Sequence, residues 1–219
     1  MNKFIYKPES HTYWQQGKKG EYFRIPSVTE ICKPLLNYDN VPEEILRSAS
    51  EYGTNIHETV KLWHKGTLDE SSLVEGNRIA LEDYKIWWNL VGKGLEGAIV
   101  DIKTRKPIPH YDSAQFAGYE ILLQHGIPIN LELTFDKSIS NTLFVEEPFG
   151  CEKLMFGGTP DIIKYNAFHL GKYVLYLKPH GGYEFVKMER KQATSMFRTL
   201  LKNWWENQKT NELVEKWRK

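Results

Sequence analysis

A chain of 219 residues with 41% hydrophobic content can build one ordinary domain with a real core. Its formal net charge of +1 lacks the strongly basic balance of a general nucleic-acid binder, although a local basic strip counts for more than the sum, and the stretch from Gly171 to Lys219 is richer in Lys and Arg than in acids. Two cysteines, Cys32 and Cys151, form neither a disulfide framework nor the thiolate quartet of an iron–sulfur cluster, so no iron–sulfur cluster is expected and a reducing cytoplasm fits; no signal peptide and no membrane span are expected either.

Phe4 to Phe23 reads as a hairpin, with FIYKPESHTYW and EYFRI flanking the turn signal QQGKKG. PSVTEICKPLL opens a helix. Ser27 and Glu30 have the spacing of a capping box, Ile25 is the staple just upstream, and Pro34 ends or kinks the helix. Glu43 to Lys65 predicts a helix, with Ile45, Ala49, Tyr52, Ile56, Val60 and Trp63 in one stripe. A second runs from Asn77 to Val91, with Ile79, Tyr84, Trp87 and Trp88 inward, until GKGLEG breaks it.

GAIVDIKT predicts a strand with a buried start, RKPIPHYD a loop, and Ser113 to His125 a helix. LELTFD, TLFVEEPF, KLMFGGTPDII and GKYVLYLKP read as further strands, and Met188 to Asn207 as a long helix whose last dozen following residues either continue it or fray. The expectation is one α/β domain over residues 1–219, a mixed sheet flanked by helices, with residues 1–42 as a hairpin-and-helix appendage.

The strand AIVDIKT carries the first chemical signal. Asp101 and Lys103 are two apart and share a face at the polar end of a strand. Alone, that pair reads as an ion pair. A second acid, Asp161 in FGGTPDII, precedes two isoleucines, and a carboxylate on such a buried strand is costly unless paired or metal-bound. Two nearby carboxylates repel and raise each other's pKa, and a divalent cation removes the repulsion. Mg²⁺ suits two carboxylates, waters and a main-chain oxygen, for which the Ile102 carbonyl is the candidate. Beside such an ion, Lys103 can orient or help deprotonate a water, or stabilise charge on a phosphate oxygen. Those are the parts that phosphodiester cleavage needs.

Taken together, DIKT, GTPD, QFAGY, the helical YGTNIH and the N-terminal HTYW…IPSVTEI resemble the PD-(D/E)xK nuclease superfamily, in its RecB-like and phage-exonuclease branch. The resemblance implies a restriction-endonuclease-like core and a Mg²⁺- or Mn²⁺-dependent deoxyribonuclease, an exonuclease of phage or prophage recombination or DNA processing. It implies Asp161 and Asp101 as metal-binding carboxylates, Lys103 as the catalytic lysine and His57 as a further metal ligand. Gln115 and Tyr119 match its Gln-x-x-x-Tyr motif, and their i, i+4 spacing sets both on one helix face toward DNA.

Arg105 and Lys106 follow the catalytic strand and either meet phosphates or form a charged loop. Trp204 and Trp205 read as core and rim, Glu58 as a solvated side chain, and His64, His110 and His125 carry no pattern. No Gly-x-x-x-x-Gly-Lys-Ser/Thr is present, so strand separation would fall to a recombination partner protein.

The motif order is inverted, because in the family the Pro-Asp strand precedes the (D/E)xK strand. Either the domain is permuted, with the same strands meeting through other connections, or the sequence order departs from that of the native polypeptide. Two other readings stand beside the nuclease: a non-catalytic DNA-binding or assembly module on the same fold, and ion-paired scaffolding.

Overall fold

The computed structural model describes residues 3–129, 142–165, 171–188 and 192–218. Its N-terminus is a meander of three strands, β1 (Phe4–Lys7), β2 (Thr12–Gln16) and β3 (Tyr22–Ile25), where one hairpin was expected. The added reversal lies at Pro8–Ser10. Pro8 lacks an N–H and opens a 3-10 turn, and His11 closes it in the left-handed region at φ 48°. In α1 (Val28–Cys32) the capping box forms: the Ser27 hydroxyl accepts from the Glu30 N–H, and the Glu30 carboxylate accepts from the Ser27 N–H. Pro34 sits in the 3-10 turn that ends this helix.

Next come α2 (Glu43–Lys65), stopped by Gly66 at φ 68°, and α3 (Glu75–Leu90). Strand β4 (Ala98–Lys103) leads to α4 (Pro109–His125), which starts a turn earlier than the composition of RKPIPHYD suggests. Proline is tolerated in a first helical turn, and the Asp112 carboxylate accepts the Ile108 N–H at 2.9 Å.

Strand β5 (Ile127–Pro128) follows, and the predicted strand LELTFD lies outside the described residues. TLFVEEPF and KLMFGGTPDII each divide in two, giving β6 (Thr142–Val145), β7 (Phe149–Cys151), β8 (Phe156–Gly158) and β9 (Ile162–Tyr165). A hairpin of β10 (Gly171–Leu177) and β11 (Tyr183–Lys187) turns through Gly181 and Gly182, at φ 91° and 87°. Helix α5 (Ala193–Arg218) starts later than the sequence predicts and runs on through the last dozen residues as far as Arg218.

The main sheet has the order β11-β10-β4-β9-β6, with β10 parallel to β4 and the other pairs antiparallel. A smaller sheet, β5-β7-β8, reaches the N-terminal segment through the Ser27–Gly157 bridge. The architecture is α/β, a mixed sheet flanked by helices, as the periodicity predicted. No helix among the described residues is long and apolar enough to cross a membrane.

Alternation along β4 divides the core. Ile99 packs with Val28, Ile31 and Cys32 of α1, Phe116 and Leu122 of α4, and Phe197 of α5. Ala98, Val100 and Ile102 pack on the opposite side with Ile56 and Val60 of α2 and Leu81 and Trp87 of α3. Val28, Ile31 and Cys32 are at most 1% exposed, because the apolar face of α1 has α4 and α5 to bury against, and Ile25 is buried with Phe4 and Tyr13.

Close approach explains the glycine doublet of FGGTPD. A Cβ on Gly157 would lie 2.4 Å from the Tyr13 ring and 3.0 Å from its Cβ, and neither atom can swing away. Gly157→Ala is therefore expected to cost about 1–3 kcal/mol by overpacking, read as a lower melting temperature. His64 is held among Trp63, Tyr84 and Trp88, with Nε2 and Tyr84 Oη 2.6 Å apart. Burial pushes its imidazole down from 6.5 to about 4. The unfolded chain then takes up that proton first, so this contribution to stability is complete above pH 6.5 and is lost as pH falls toward 4. Thermal melts across that window should fall less steeply for His64→Gln than for the wild type.

Candidate active site

The β4–β9 ladder pairs Ala98 with Lys164, Ile99 with Ile163 and Val100 with Ile162. One step further in the same register sets Asp101 opposite Asp161. There the ladder has ended, and the Ile102 N–H donates instead to Asp161 Oδ2 at 2.5 Å. The two acids expected to converge thus meet as cross-strand neighbours, and the inverted chain order is no obstacle to their pairing.

Around them the structure gathers Lys103, His57 and Glu146. Lys103 Nζ is 2.7 Å from Asp101 Oδ2. Helix α2 delivers His57, whose Nδ1 is 3.2 Å from Asp161 Oδ1 and 2.8 Å from Glu146 Oε1. Glu146 follows β6 with φ 53°, and its N–H donates to the Asp161 carbonyl at 2.8 Å, hooking its side chain back into the site.

Sequence reasoning passed over Glu146. The trace it left is the acid doublet Glu146–Glu147 at the point where the apolar strand TLFV stops.

Electrostatics decides what the cluster can hold. Asp101 is 1% exposed, and among the described residues neither of its oxygens has a hydrogen bond of good geometry; its one close partner is the Lys103 ammonium. Burial raises the Asp101 pKa, Lys103 opposes the rise, and Asp161 adds to it. For Lys103, burial disfavours the charge, but Asp101 and Asp161 outweigh it and raise its pKa, so it stays an ammonium. His57 follows the same balance: burial opposes protonation, and Asp161 and Glu146 overcome it.

His57, Glu146 and Asp161 each offer a ligand atom, all within 4.8 Å of one another. Carboxylate oxygens with one imidazole, beside a buried carboxylate short of hydrogen bonds, fit a hard divalent cation such as Mg²⁺ or Mn²⁺. Glu146 joins His57 and Asp161 in that group, while Asp101 stands next to it, paired with Lys103. Ile102, expected to contribute its carbonyl, takes part through its N–H.

The cluster lies in a cleft of about 640 Å³, walled by α1, α2, α4 and the N-terminal meander. Gln115 and Tyr119 line it from α4, at 2% and 4% exposure. Gln115 Nε2 reaches Thr29 Oγ1 at a long 3.5 Å, and among the described residues its Oε1 has no partner. Burial first, then Asp101 and Asp161, raise the Tyr119 phenol pKa.

Arg105 is held elsewhere. Its guanidinium pairs with the fully buried Asp112 and lies over the Tyr111 ring at 5.2 Å. Asp112 also accepts from Tyr176 Oη at 2.8 Å, which ties the end of β4, the start of α4 and β10 together. Glu58 is exposed beside Lys61, as the solvated reading has it. Compared with protein-family models, curated proteins and solved structures, the chain matches none.

Calorimetric titration with Mn²⁺ is expected to give saturable binding that weakens at least about tenfold in Glu146→Gln and in His57→Ala. Unchanged affinity in Glu146→Gln would remove Glu146 from the ligand set.

Proposed function

We propose that this protein is a Mg²⁺- or Mn²⁺-dependent deoxyribonuclease that hydrolyses phosphodiester bonds. On this reading it is an exonuclease of phage or prophage type, serving recombination or DNA processing in the cytoplasm on a restriction-endonuclease-like core. Strand separation would come from a partner protein. The observation that carries the reading is the meeting of Asp101, Lys103 and Asp161 at the end of the β4–β9 ladder, inside a cleft. The inverted motif order fits a permuted domain, since the chemistry needs the geometry and not the chain order.

Asp161, Glu146, His57 and Asp101 are the residues that would hold the cation, which when bound supplies Lewis-acid polarisation of the phosphate and a more acidic water. The chain's own groups do the rest. Lys103, kept charged by its acids, faces the negative charge that grows on the phosphate oxygens. The Gln115 amide and the Tyr119 hydroxyl offer donors for a phosphate along the same wall. The Asp112–Arg105 pair steadies the loop between β4 and α4, so that lysine and donors keep their spacing.

The test incubates end-labelled linear duplex and single-stranded DNA with Mg²⁺ or Mn²⁺. The wild type is expected to release product, with a loss of about a hundredfold or more in Lys103→Ala and Asp161→Asn. If wild type and variants are equally inert across a broad metal screen, the nuclease reading fails. Metal-independent DNA binding that weakens with salt and gives no product would favour the binding module instead.

A further inference from the structure

One wall of the cleft is left out of the chemistry above, and it is aromatic. Tyr6 on β1 and Tyr13 on β2 have ring centroids 5.0 Å apart with planes inclined by 34°. His11 lies edge-on to Tyr6 at 6.2 Å, and Tyr6 Oη and His11 Nδ1 share a hydrogen bond of 3.0 Å. The position of His11 is bought with a left-handed backbone, φ 48° and ψ 40°, which residues other than glycine adopt uncommonly. Behind it, Tyr13 Oη bonds Thr159 Oγ1 at 2.6 Å, two residues before Asp161. Tyr6, His11 and Tyr13 all line the cleft that holds Asp101, Lys103 and Asp161. The ring wall and the acid cluster are two sides of one chamber.

The dimensions of the chamber select what enters. A cleft of about 640 Å³ is on the scale of a small-molecule site. Asp101, at 1% exposure, lies at its bottom, and Asp161 is 5% exposed. Duplex DNA is stiff over about 150 base pairs and keeps its bases stacked inside, so it neither threads into such a space nor offers a base face to a ring. A single strand bends freely and presents its bases for stacking. The Arg24 guanidinium beside the wall is paired with Glu30.

Resting on the nuclease reading and deepening it, we propose that the cleft takes a single DNA strand. One unpaired base stacks on the Tyr6–His11 wall while a neighbouring phosphate lies at the acid cluster.

The test measures binding apart from turnover, by fluorescence anisotropy in Ca²⁺. Its probes are a labelled oligothymidylate, the same strand annealed to its complement, and the same strand with abasic sites. Wild type is expected to bind the single strand at least about tenfold more tightly than the duplex. Tyr6→Leu and His11→Asn should each weaken single-strand binding about three- to tenfold and leave abasic-strand affinity unchanged, whereas Tyr6→Phe, which keeps the ring, should bind as wild type does. Asparagine tolerates the left-handed backbone, and the His11 side chain is exposed, so that variant carries the test even if Tyr6→Leu does not fold.

Equal affinity for duplex and single strand, or an equal loss on the abasic strand, overturns the proposal. The two readings fail separately. A protein that cuts DNA while the wall variants stay silent sinks only the stacking wall. One that shows base-dependent binding and never yields product sinks only the nuclease.

Discussion

The pairing of β9 against β4 is the constraint on which the rest of the site depends. Three ladder pairs, ending at Val100 and Ile162, fix the register, and the next position sets two carboxylates face to face. Packing on both faces makes that register hard to slip, because a shift of β9 by one residue would carry Ile163 into the core shaped for Ile162 and Ile162 into the core shaped for Ile163. The cohesion of apolar side chains thus holds two like charges together. The backbone contributes as well, since the Ile102 N–H, which has run out of ladder, takes Asp161 Oδ2 as its acceptor.

Spatial adjacency in a sheet is independent of the order in which strands are strung. Here α4 and the small sheet separate β4 from β9 along the chain, yet the strands are neighbours. The N-terminal segment is drawn in by the same economy of burial. Once α1 covers α4 and α5, the meander stands over β8, and Tyr13 settles on the bare backbone of Gly157. Gly118 plays a similar part on α4, where a Cβ would lie 2.6 Å from the Phe197 ring.

Much of the site was legible because its signals are local. Asp101 and Lys103 lie two apart on a strand whose burial can be read from Ala98, Ile99 and Val100, and Asp161 is conspicuous beside Ile162 and Ile163. The stripe of α2 is unbroken enough to place His57 on a helix, although not to say which way it faces. Glu146 was illegible for a physical reason: its role depends on β6 pairing with β9 and on a positive φ that no neighbouring residue announces. Asp112 was hidden for another. It looks like loop, but it is a buried carboxylate satisfied by Arg105 and Ile108 of the preceding loop and by Tyr176 of β10. The third N-terminal strand is not legible because Pro8 and Ser10 sit within a β-rich stretch and yet make a turn.

His57 and Glu146 stand 89 residues apart in the chain, and Ile102 and Asp161 stand 59 apart. Contacts of such long range close slowly, after the local helices have formed. During synthesis the cluster has no existence until β9 has emerged and docked, so its negative charges are far apart for most of the chain's growth. Any cation that binds only the finished arrangement then acts as a latch on the docking of β9, and its concentration sets how firmly the closed form is held.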